Sequence, residues 1–111
     1  MSPAHRLIPF DLLVEAVCEA AGEDVSDVFT RSRRRDLVTA RRAIVLLARR
    51  HTPLSFEEIA RRLGRRTHSG VYEMFLAARM MHGPRWLTLL ERSVELARVH
   101  ADAARTTEEA A

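Results

Sequence analysis

The chain has 111 residues with 18 arginines, no lysine, 15 acidic residues and a net charge of +3, and 47% of it is hydrophobic but only 5% aromatic. That length supports one domain with a modest aliphatic core. No run of 18 apolar residues exists, which excludes a membrane-spanning helix of ordinary length, and no early segment has the pattern of a signal peptide, so a cytoplasmic protein is expected.

Residues 1–7 read as an N-terminal extension, residues 8–105 as a single domain and residues 106–111 as a flexible acidic tail. Pro9 suits a first helical turn, and Phe10 to Ala21 forms an amphipathic helix with Leu13, Val17 and Ala20 or Ala21 turned inward, stopped by Gly22. Cys18, the only cysteine, is expected as a small core residue in a reducing compartment. Ser26 to Phe29 makes one short turn anchored by Val25, Val28 and Phe29. Thr30 to Arg35, TRSRRR, lacks apolar periodicity and reads as an exposed basic loop. Asp36 then caps a helix from about Leu37 to His51, with Leu37, Ala40, Ile44, Leu47 and Ala48 on its buried stripe, and Pro53 breaks it.

Ser55 opens the most informative stretch. With Glu58 it forms a capping box, and Phe56, Ile59, Ala60 and Leu63 share one helical face before Gly64. A second helix starts near Thr67, runs to about His82 and buries Val71, Met74, Phe75 and Ala78. Two short helices around a glycine-containing turn read as a helix-turn-helix. Gly83-Pro84 closes the pair, and Arg85 to about Arg105 is the last helix. The chain is therefore expected to be all-α, a compact bundle of about six helices.

Charge distribution points to the partner. Residues 1–30 carry one arginine against six acids, residues 31–66 carry twelve arginines against three acids, and residues 67–111 carry five against six. A basic block between acidic or neutral flanks fits a phosphate-binding face and makes nucleic acid the expected partner; double-stranded DNA is the partner the resemblance below implies. Thr67, His68 and Ser69 fall at a helix N-terminus, where side chains can reach base edges, while the basic residues Arg65 and Arg66 suit phosphate.

These blocks resemble the C-terminal DNA-binding domain of the bacterial replication initiator DnaA, a helix-turn-helix fold of the Trp-repressor kind. The resemblance rests on the basic loop Arg31 to Arg35, the run Ala40-Arg41-Arg42 leading into Ala43 to Arg49, the Ser55 to Ile59 segment, and Leu63-Gly64-Arg65-Arg66-Thr67-His68-Ser69-Gly70-Val71. It needs no gap and covers residues 8 to about 99. It implies that Thr67, His68 and Ser69 read bases in the major groove. It also implies that Arg33, Arg34 and Arg35 hold phosphate or the minor groove, with Arg41 or Arg42 facing DNA as well; Arg41 is the one assigned to that role.

Two departures stand out. Thr67 replaces the family's aspartate, and Gly70 replaces a second hydroxylated residue, weakening the helix start by up to about 1 kcal/mol relative to alanine. The family's base preference therefore does not transfer with the resemblance.

Other functions have less to stand on. The 111 residues hold no GxxxxGK[ST] loop, so neither a nucleotide nor the initiator's ATPase module is expected. The histidines and Cys18 show no metal-ligand spacing, and no nucleophile elbow or paired carboxylates suggest an enzyme, so no metal, cofactor or catalytic residue is assigned. The competing reading is a protein-interaction module acting through the acidic first helix, with Glu15, Glu19, Glu23 and Asp24 as its face. A last feature bears on assembly: Leu87, Leu90, Val94, Ala97, Ala101 and Ala104 repeat at 3-4-3-4-3 spacing. Folded back onto the chain's own core and anchored by Trp86 and Leu89 on the adjoining face, this seam belongs to a monomer, the favoured reading; left free, it would make a homodimer through residues 87–104.

Overall fold

A computed structural model describes residues 7–64 and 67–110. Among them are six helices: α1 (Phe10–Ala21), α2 (Val25–Val28), α3 (Arg35–His51), α4 (Phe56–Arg62), α5 (His68–Met80) and α6 (Pro84–Ala110). The fold is all-α, with no strand among the described residues. Helix α3 is its centre, packed between α1 and α5, while α6 lies along α1 and α4 lies on α5. This placement explains why α3 is buried on more than its expected stripe. Ala43, Val45 and Leu46 are enclosed along with Leu37, Ala40, Ile44, Leu47 and Ala48. A helix apolar on every side needs neighbours on every side.

Local signals set most boundaries. Gly22 has φ 72°, and the N–H of Glu23 closes the end of α1 on the Cys18 carbonyl at 2.9 Å. Burial and the nearby Glu23 and Asp24 carboxylates push the Cys18 thiol up to about 11. The Ser55 hydroxyl accepts from the Glu58 N–H at 3.2 Å and donates to the Glu58 carboxylate at 3.1 Å. The expected capping box thus closes through the hydroxyl rather than through the Ser55 backbone.

Several expectations are corrected. Helix α2 begins at Val25, capped by the Asp24 carboxylate on the Ser26 N–H, and only Val28 is buried; Val25 and Phe29 face solvent. Asp36 does not cap α3. The helix starts at Arg35, so Asp36 lies in its first turn, where a carboxylate complements the helix dipole. Helix α6 starts at Pro84, which needs no N–H there, and continues past Arg105 to Ala110.

The seam on α6 is shifted by tertiary packing. Trp86, Leu90, Ser93 and Ala97 are buried, Val94 and Ala101 are half-buried, and Leu87 and Ala104 are exposed. Trp86 takes the inward position expected for Leu87. Ser93 enters the core because its hydroxyl is satisfied, donating to the Leu89 carbonyl at 2.6 Å.

Candidate nucleic-acid interface

Helices α4 and α5 present the first half of the site. Ile59, Ala60, Leu63, Val71 and Ala78 bury their shared face, which leaves the N-terminus of α5 at the surface. Thr67 is its N-cap, with the hydroxyl oxygen accepting from the Gly70 N–H at 3.0 Å. A Cβ at position 70 would stand 2.9 Å from that oxygen, so glycine makes room for this cap. Gly70 therefore fits the threonine that departs from the family alongside it. One acceptor lone pair of Thr67 is thereby used on the backbone, and its O–H and second lone pair remain. His68 and Ser69, in the first turn, are exposed, and no acidic residue shares that turn. Arg65 and Arg66 lie outside the described residues.

Phe56 organises the surface beside His68. Its ring meets His68 at 5.9 Å, Tyr72 at 5.2 Å and Phe75 at 5.2 Å between centroids, all edge to face. The Arg49 guanidinium lies 4.4 Å from the same ring centre and donates to the Leu54 carbonyl at 2.8 Å. In the sequence Arg49 is indistinguishable from the neighbouring Arg50 on charge alone. Its pairing with Phe56, seven residues later and across the α3–α4 turn, has no periodic signature to reveal it.

The basic loop between α2 and α3 is the second half. It is held from beneath by Arg41, only 3% exposed. The Nε of Arg41 donates to the Val28 carbonyl at 2.9 Å, Nη1 to Ser32 at 2.5 Å, and Nη2 to Thr30 at 2.8 Å and Asp27 at 3.2 Å. This corrects the expectation that Arg41 contacts DNA. Its planar fork is spent on four backbone carbonyls at the base of the loop, one of which, that of Asp27, also accepts from the Thr30 N–H and hydroxyl. Arg42 is half-buried and leans on the Met81 sulfur at 4.0 Å, so it is not the partner facing outward either.

Arg34 is also diverted. Both of its terminal nitrogens donate to the Glu23 carboxylate, one at 3.2 Å, and this hydrogen bonding raises the Arg34 pKa above its ordinary value. Glu23 is the more enclosed partner, its side chain 7% exposed against 50% for Arg34. Much of the Arg34 charge is thus answered within the protein. Arg31, Arg33 and Arg35 are exposed and make no hydrogen bond or ion pair within the described residues. The two halves of the site adjoin: Gly64, in the turn before α5 with φ 85°, would place a Cβ 3.5 Å from the Phe29 carbonyl that leads into the loop.

An all-α domain that presents a capped helix N-terminus beside an arginine loop defines the helix-turn-helix class. Residues 10–75 match the family described as bacterial dnaA protein helix-turn-helix, and the chain belongs to that family. Among curated proteins it is 42% identical over 67 residues to the chromosomal replication initiator protein DnaA of Oleidesulfovibrio alaskensis, covering 60% of this chain and 14% of that protein. It is 36% identical over 61 residues to the protein of the same name from Picosynechococcus sp., covering 55% and 14%. The DnaA of Bacteroides fragilis is 30% identical over 66 residues, covering 60% and 14%. The chain thus spans about one seventh of the length of these relatives. No solved structure matches it. The family supports DNA binding.

Proposed function

We propose that this chain binds double-stranded DNA with a sequence preference, inserting the N-terminus of α5 into the major groove and laying the loop of residues 31–35 on phosphate or in the minor groove. The observation that carries this is the exposed, capped first turn of α5 beside three uncommitted arginines. A helix N-terminus offers backbone N–H groups and a positive dipole end to phosphate, while His68, Ser69 and the Thr67 hydroxyl proton serve base edges. Arg31, Arg33 and Arg35 supply charge from the loop, Arg49 adds to it, and Arg41 acts by shaping the loop. The name its relatives carry, chromosomal replication initiator protein, supports replication control over transcription control or a mobile-element accessory as the setting of that binding.

The interaction-module reading is weakened by the same geometry. Glu23 is tied to Arg34, and Glu19 lies 3.6 Å from His100, so two of its four acids face partners within the chain.

Salt dependence tests the proposal. Replacing Arg33 and Arg35 with glutamine should weaken binding to every duplex and lower the log–log salt slope by about 0.9 per lost phosphate contact. Arg34→Gln alone should change the slope less. Reduced affinity at an unchanged slope would assign the loop to folding rather than to DNA.

The same reading places one chain on DNA as a monomer. The buried stripe of α6 faces α1, leaving only Leu87 and Val99 as large exposed apolar residues among the described side chains of that helix. Sedimentation at micromolar concentration without DNA should give a species of 12.6 kDa. A stable species of twice that mass overturns the assignment.

A further inference from the structure

Tyr72 has no part in the reading above, yet it stands where that reading needs a contact. It follows His68 by four residues, so the two share one face of α5. The residue is 43% exposed, and its hydroxyl has no hydrogen-bond partner among the described residues. Its ring is braced edge to face on Phe56 at 5.2 Å and 78°, and Phe56 in turn meets His68 and Phe75. A ring held this way loses little rotational freedom when its tip is bound.

Direction matters as much as position. Helical side chains lean back toward the N-terminus and cover the preceding turn. The phenol of Tyr72 therefore covers the surface beside His68. A helix that enters the major groove by its first turn carries its second turn past the groove's rim, where phosphates stand.

We propose that the Tyr72 hydroxyl donates a hydrogen bond to a phosphate oxygen at the rim of the groove entered by α5, fixing the depth at which His68 meets the bases. This rests on the DNA-binding reading above. The donor is uncharged, which separates it from the arginines: it strengthens binding to every sequence without releasing a counterion.

The test is Tyr72→Phe, which keeps the ring on Phe56 and removes one oxygen. Binding is measured by fluorescence anisotropy across a salt series, on a random-sequence duplex and on a duplex selected from a random library, with thermal melting in parallel. Affinity should fall about ten-fold or more on both duplexes, as for one hydrogen bond to a charged acceptor, with the salt slope and melting temperature unchanged. Equal affinity of the two proteins overturns the proposal. Loss confined to the selected duplex overturns it in favour of a base-edge contact, and loss with a lowered melting temperature reduces Tyr72 to packing. The unsubstituted chain separates this failure from that of the broader reading. If it shows no salt-dependent duplex binding, the DNA-binding function itself falls, and the Tyr72 contact with it.

Discussion

Replacing Arg41 with methionine should lower the free energy of unfolding by about 3–5 kcal/mol, because four carbonyls lose a charged donor inside the fold. The melting temperature should drop by roughly 12 °C or more. Arg41→Lys should recover only part of this, since one ammonium cannot span Val28, Ser32, Thr30 and Asp27 as the guanidinium does. DNA affinity should fall in both variants through disorder of the loop that carries Arg31, Arg33 and Arg35. Chemical denaturation monitored by circular dichroism gives the stability directly. A different result restores the direct contact: unchanged stability with a salt slope lowered by about 0.9 would mean that Arg41 reaches phosphate.

His68→Ala should cost about 1–3 kcal/mol on the preferred duplex and relax preference at the base pair it meets. Non-specific affinity should stay nearly constant, since the arginines of the loop supply the phosphate contacts. The residue is exposed in the first turn of α5, and its one described aromatic neighbour is Phe56, so removal leaves the buried face of the helix intact. Competition binding against a library of single-base variants measures the effect. Equal weakening on all duplexes would make His68 a phosphate or structural residue.

Phe56 links these readouts. Its apolar period placed it on the core side of α4, and the structure leaves it half-buried at the edge, where it touches Arg49, His68, Tyr72 and Phe75. Residues 56 and 68 belong to different helices, and no helical repeat connects them. Only the packing of α4 on α5 brings the two rings together.

Arg41 and Arg34 make the same point for charge. In the sequence both are members of a basic block, indistinguishable by composition from Arg33 and Arg35. Burial separates them: Arg41 lies under the loop on backbone carbonyls, and Arg34 turns to a carboxylate eleven residues earlier. A charge run reports the field of a surface but not which of its members have partners inside.

By itself the sequence determined what is local. The stop at Gly22, the Ser55 cap, the start of α5 at Thr67 and the turn at Gly64 are each set by one residue's backbone freedom or hydrogen-bonding reach over a few neighbours. The paired helices and the arginine-rich segment follow from those signals, and with them the family. Tertiary structure alone decided what depends on residues far apart in the chain. It enclosed α3 all round only from Ala43 to Ala48, moved the inward stripe of α6 from Leu87 to Trp86 and onto Ser93, and chose which arginines face outward. The physical reason is range: caps and periodicities act within a turn or two, whereas burial and ion pairing are settled by whichever helices the fold sets side by side.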